Sequence, residues 1–166
     1  MPHVEANGLR FHVLVLKPAD AGGSVDGGGD AAPRPKVVML HGLVIDNLSS
    51  WYYTIAPAVA MHADVYLIDL RGHGRTDMPA TGYTVEDNVD DLVALLDQWG
   101  IHEPVHLFGN SFGGVVSLAL AHRHPERVAS LFLVEAHFAA EGWGEHMAGS
   151  LALAAFGLDE TAVQDW

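Results

Sequence analysis

Four short segments carry the strongest pattern in this chain: 37–40 (VVML), 65–68 (VYLI), 105–108 (VHLF) and 128–134 (VASLFLV). Each is apolar without polar alternation, which is the signature of strands covered on both faces. Between them the period lengthens. Residues 50–62 predict a helix despite Pro57. In the next stretch Val89, Leu92, Val93, Leu96 and Trp99 recur at helical spacing, with Thr84 placed as an N-cap and Gly100 as a stop. A further helix runs through about His122 and halts near Pro125. Before these, Asn7-Gly8 separates two extended segments within 4–16, the sequence of a tight type I′ hairpin. Buried strands alternating with helices predict an α/β fold, a mostly parallel doubly wound sheet with helices on both faces. In such folds the chemistry gathers at the carboxyl ends of the strands.

Residues 18–36 (PADAGGSVDGGGDAAPRPK) break the pattern. They hold too few large apolar side chains to order themselves, so a flexible surface loop is expected. The remaining composition, 49% hydrophobic and 17% charged over 166 residues, fits one domain with a substantial core. A formal charge of −13 argues against nucleic acid as a partner, because phosphates would repel it. There is no cysteine, hence no disulfide, thiolate metal site or cysteine nucleophile. The eleven histidines are scattered without helical zinc-site spacing, and neither a metal nor a cofactor is expected. The first residues, MPHVEANGLRFHV, lack the apolar core of a secretion signal, and no apolar run is long enough to span a bilayer. A cytoplasmic protein without membrane contact is the expectation.

The chemistry concentrates in Gly109-Asn110-Ser111-Phe112-Gly113, a G-x-S-x-G sequence between a buried strand and a helix. Glycines on either side of the serine let strand and helix backbones approach closely. The strained turn exposes the hydroxyl, and the helix N-terminus favours negative charge there. Ser111 is therefore the candidate nucleophile. An acyl-transfer site also needs two N–H donors facing the oxyanion. The backbones of Phe112, after the nucleophile, and of Leu43, in the loop after the 37–40 strand, are the candidates. His41, Gly42 and Asn110 are expected around the substrate pocket, with His41 a structural hydrogen-bonder rather than a base.

In order, His41-Gly42, Trp51, Asp69-Leu70-Arg71-Gly72-His73-Gly74 and Gly109-Asn110-Ser111-Phe112-Gly113-Gly114 resemble the landmarks of the α/β-hydrolase family. They resemble its HG oxyanion loop, its D-x-R-G-x-G turn and its nucleophile elbow, over nearly the whole chain to Val134. The resemblance implies hydrolysis of an ester, thioester or related carbonyl substrate through an acyl-enzyme, with no cofactor. The Gly-Asn-Ser-Phe-Gly-Gly elbow is similar to that of the C–C bond (meta-cleavage) hydrolases, but the loop after His41-Gly42 lacks that branch's Ser-Gly-x-Gly character. A non-catalytic, hydrolase-like binding subunit is the competing reading.

In the family the order is serine, acid, histidine. Asp69 and Arg71 precede the serine and read as a structural turn. The histidine is expected after the last strand of the sheet. Residues 1–136 thus read as a partial core with strands one to six, and 137–166 as the start of a helical cap. His122 and His124 lie about 16–20 Å along the helix from Ser111, too far to help. Glu135, at the end of the 128–134 strand, is a candidate acid, and His137 is expected on the pocket rim. Because the 128–134 strand would be an apolar edge without charge or proline to block pairing, a second polypeptide, from a split gene or a cleaved precursor, is expected to supply the missing strands, cap and histidine; the alternative is a truncated piece of an ordinary single-chain enzyme.

Overall fold

The computed structural model describes residues 3–17, 34–43 and 45–136. Most of the 18–36 loop and all of the expected cap, 137–166, lie outside them. Lys36, placed at the loop's end by sequence, instead opens a strand and pairs with Asp64.

Strands β1 (His3–Ala6) and β2 (Leu9–Leu16) form the expected hairpin. Asn7 and Gly8 at its tip have φ of +47° and +73°, as a type I′ turn requires. The sheet continues with β3 (Lys36–Leu40), β4 (Asp64–Ile68), β5 (Val105–Asn110) and β6 (Val128–Val134), in the order β1-β2-β4-β3-β5-β6. The hairpin joins β4 antiparallel, while β4, β3, β5 and β6 are mutually parallel.

The unbroken apolar runs follow from this layering. On β3 and β4, Val38, Leu40, Tyr66 and Ile68 face one core with α3 (Val85–Gln98) and α4 (Phe112–Arg123). The alternate residues Val37, Met39, Val65 and Leu67 face a second core with Trp51 and Ala56. Successive strand side chains point to opposite faces, so a sheet covered on both sides needs an apolar residue at every position.

Helix α3 begins as its sequence indicates. The Thr84 hydroxyl accepts the Asp87 N–H at 3.1 Å, and the Asp87 carboxylate accepts the Thr84 N–H at 3.0 Å, forming a capping box. Its end closes where Gly100 turns to φ +65° and Ile101 N–H reaches back to the Leu96 carbonyl. The helix expected over 50–62 is different. It divides into α1 (Ser49–Tyr52) and α2 (Ala56–Val59), and Pro57 sits in the first turn of the second. Proline carries no N–H to continue the ladder from α1, whereas at a helix start that N–H has no partner to lose.

On β6 the apolar pattern meets solvent. Among the described residues no strand pairs with its outer edge, and Phe132 and Val134 are 48% and 36% exposed. No described helix is long and apolar enough to cross a membrane.

Candidate functional site

The register of the central strands builds the site. Leu40 of β3 is level with Gly109 of β5, so the loop after β3 and the turn after β5 emerge side by side. Asn110 is level with Val134 of β6, which brings Glu135 beside the same turn.

Ser111 is a non-glycine residue at φ +49°, ψ −114°, and it forms the N-cap of α4 without a side-chain capping bond. Its backbone is fixed instead: the N–H donates to the Val134 carbonyl at 2.8 Å, and its carbonyl accepts from Gly114 and Val115. Holding a non-glycine residue there costs on the order of 1–3 kcal/mol, which the surroundings must impose. The glycines make that geometry attainable. A Cβ on Gly109 would stand 2.6 Å from the Gly113 carbonyl oxygen, and one on Gly113 would stand 2.6 Å from the Leu40 carbonyl carbon. The helix thus starts directly against the end of β3, with its first N–H groups directed at the serine corner.

The loop after β3 is held from behind by His41, which is fully buried. Its Nδ1–H donates to the Gly42 carbonyl at 2.6 Å, and its Nε2 accepts the Leu70 N–H at 3.0 Å. Both ring nitrogens are committed, so His41 supports the loop and has no nitrogen left for a reacting group. Trp51 fastens the same segment by donating Nε1–H to the Leu40 carbonyl. The Gly42 backbone passes so near the candidate nucleophile that a Cβ there would lie 3.4 Å from Ser111 Cβ. Leu43 follows, 40% exposed. The candidate oxyanion donors, the N–H groups of Leu43 and Phe112, therefore belong to two segments that flank Ser111.

Burial drives the His41 pKa down, more than the hydrogen bond to Gly42 raises it, and the accepting Nε2 requires the neutral ring. A histidine with a depressed folded pKa is protonated in the unfolded chain first. Its contribution to stability is complete above the ordinary histidine pKa of 6.5 and declines as pH falls below that value. The urea midpoint should consequently decrease between about pH 7 and pH 5, and less steeply in His41→Gln. Parallel profiles for the two proteins would contradict this assignment.

Asp69 and Arg71 serve the framework. Asp69 Oδ1 accepts the Leu48 N–H, and Oδ2 accepts the Arg75 N–H and pairs with His12 Nδ1 at 2.8 Å. Arg71 grips Asp91 of α3 through Nε and Nη2, each at 2.6 Å, and also holds the carbonyls of Gly82 and Asp87. The Asp91 bond raises the Arg71 pKa against the lowering effect of burial. Both side chains are buried and engaged within this framework.

Glu135 has φ +50° and an exposed side chain one residue beyond β6, beside the turn that carries Ser111. His137 lies outside the described residues. Asn110 directs its carboxamide to Asp46, at the 3.5 Å limit of a hydrogen bond. Asp46 was not singled out by sequence reasoning, yet it accepts the Gly42 N–H at 2.8 Å. The only signal available was a carboxylate four residues past Gly42, in a loop whose path the sequence leaves open. Among the described residues no cluster of three or more histidine or acidic side chains could hold a metal.

Comparison with known proteins agrees with this fold. The sequence profile of the alpha/beta hydrolase fold matches residues 35–154. The chain is 45% identical over 116 residues to lipase LipV of Mycobacterium tuberculosis, covering 69% of this chain and 41% of the lipase. It is 37% identical over 119 residues to the 2-hydroxy-6-oxo-2,4-heptadienoate hydrolase of Pseudomonas putida, covering 70% and 42%. The structure of an enzyme that degrades N-acyl homoserine lactones superposes with a TM-score of 0.71 at 31% identity, covering 92% of this chain and 52% of that one. Epoxide hydrolases are among the other matches. The chain therefore spans about half or less of the length of these relatives. With the profile matching well over half of its residues, the chain belongs to the alpha/beta hydrolase fold family.

Proposed function

We propose that this chain is the nucleophile-bearing part of a serine hydrolase acting on an ester, thioester or related carbonyl compound. The observation that carries the reading is Ser111 itself: a serine at φ +49°, its hydroxyl unused by the helix it caps, beside the Gly42 backbone. A strained serine whose hydroxyl makes no hydrogen bond among the described residues suits attack and offers nothing to simple binding.

Ser111 Oγ attacks the carbonyl carbon and passes its proton to a histidine. The carbonyl electron pair moves to oxygen, where the N–H groups of Leu43 and Phe112 receive it. Collapse expels the alcohol or thiol, which takes up that proton, and leaves the acyl-enzyme. Water, deprotonated by the same histidine, then releases the acid and restores Ser111. His41 cannot be that histidine, since both its nitrogens are engaged. In this reading the base lies outside the described residues, on a second polypeptide that extends the sheet at the exposed apolar edge of β6 or on further sequence of a longer single chain, with Glu135 as candidate acid. The Gly-Asn-Ser-Phe-Gly-Gly elbow and the similarity to a heptadienoate hydrolase favour, as a second reading, a C–C bond hydrolase using the same serine.

A fluorophosphonate probe tests the proposal. The expected result is one adduct on the peptide containing Ser111, eluting in gel filtration above the 17.8 kDa of the chain. No adduct in any assembly state would leave a non-catalytic binding subunit. Labelling of a free monomer would remove the second polypeptide from the scheme.

A further inference from the structure

We infer that Asp46 is a positioning residue, whose carboxylate fastens the oxyanion loop to the nucleophile elbow by holding the Gly42 N–H and reaching the Asn110 carboxamide. The inference rests on the serine-hydrolase reading for its catalytic consequence, although its geometry stands by itself.

Asp46 Oδ2 accepts the Gly42 N–H at 2.8 Å and Oδ1 accepts the Asn47 N–H at 2.9 Å. Asn110 Nδ2 approaches the same Oδ2 at 3.5 Å. One carboxylate therefore meets the loop after β3 and the residue immediately before the nucleophile. A Cβ on Gly42 would lie 3.3 Å from Asp46 Oδ2 and 3.4 Å from Ser111 Cβ, so carboxylate, loop backbone and nucleophile share one corner.

The planarity of the peptide bond turns this contact into orientation. The Gly42 carbonyl and the Leu43 N–H belong to one trans peptide and point in opposite directions. His41 Nδ1–H fixes the carbonyl end of that unit, while Asp46 fixes the preceding N–H. Held at both points, Gly42 has little freedom to rotate, and the direction of the Leu43 N–H follows. Glycine on its own would not hold that direction, because its backbone is the least restricted of any residue.

The charge supports the bonds. Burial would raise the Asp46 carboxyl, but the Gly42 N–H, the Ser50 side chain and the Asn47 N–H outweigh it and hold it below the usual aspartate range. At neutral pH both oxygens are acceptors. A carboxylate so close to a developing oxyanion would oppose it through space. Its placement is therefore explained by fastening: an electrostatic contribution alone would make Asp46→Asn faster than the parent.

The test uses the assembled protein, p-nitrophenyl acetate and amide hydrogen exchange. Asp46→Ala should lower kcat by about 10²-fold, as expected when a donor loses its alignment. KM should stay within about twofold, because the substrate-lining side chains remain. Asp46→Asn, which keeps one acceptor, should recover most of the loss and also reports should the alanine variant fail to fold. The Gly42 amide proton should exchange at least about tenfold faster in Asp46→Ala. Unchanged Gly42 exchange, or a kcat equal to the parent's, would overturn the inference, and so would an Asp46→Asn variant faster than the parent. If the parent shows no Ser111 adduct, the hydrolase reading fails, while Gly42 exchange still decides the role of Asp46.

Discussion

Ser111→Ala is expected to lower kcat/KM on p-nitrophenyl acetate by at least about 10³-fold and to leave the folded protein intact. The two halves of that expectation have separate causes. The hydroxyl is the atom that would form the acyl bond, and no neighbouring group in the described site can replace it. Backbone donors at Leu43 and Phe112 remain in the variant, so a residual rate above the uncatalysed one is expected from them. Stability should change little because the Ser111 side chain makes no capping bond, and among the described residues its removal leaves no hydrogen-bond partner unsatisfied. The strain at φ +49° falls on the backbone and is similar for serine and alanine. Steady-state kinetics and a urea titration on the same preparation check both halves. Retained turnover would move the nucleophile elsewhere.

Gly113→Ala should destabilise the protein by about 3 kcal/mol or more, reversing the usual helix preference. Inside a helix, alanine is ordinarily favoured over glycine by about 1 kcal/mol. Here the added methyl would lie 2.6 Å from the Leu40 carbonyl carbon and 2.7 Å from the His41 carbonyl oxygen. Those are backbone atoms of β3 and of the loop that follows it, and they cannot rotate away as a side chain can. Relief requires α4 to move off the sheet, taking the Phe112 N–H with it. Activity should therefore fall together with the urea midpoint. Gly100 provides the contrast: at φ +65° with open space around it, alanine there should cost only the left-handed backbone strain, about 1–2 kcal/mol. Equal effects at the two glycines would show that the close approach at Gly113 is not rigid.

Much of the candidate site was legible because its determinants are local. A G-x-S-x-G at a strand-to-helix junction specifies the turn by itself, since the tight approach on either side of Ser111 needs residues without a Cβ. The reading of His41 as a hydrogen-bonder has its counterpart in two committed ring nitrogens, and that of Asp69 and Arg71 in buried framework bonds. Asp46 escaped notice for a physical reason. Its importance lies in which N–H groups converge on it, and convergence between a loop and a turn 64 residues further on leaves no periodic trace. The interrupted helix before β4 is a smaller instance. Pro57 was visible, but whether it would bend or divide the helix depended on how 49–59 packs across the sheet.

From the sequence alone came the identity of the strands and helices, the Asn7-Gly8 hairpin, the Thr84 cap and the position of Ser111. Each depends on neighbours within a few residues, where side-chain period and backbone preference act directly. Only the tertiary structure decided that β3 lies between β4 and β5, that Leu40 stands level with Gly109, and that one carboxylate joins the loop to the elbow. These are long-range pairings, set by which apolar faces bury one another and which polar groups must be satisfied once buried. The local code placed the candidate nucleophile on the chain, and packing of the distant strands set the candidate oxyanion loop beside it.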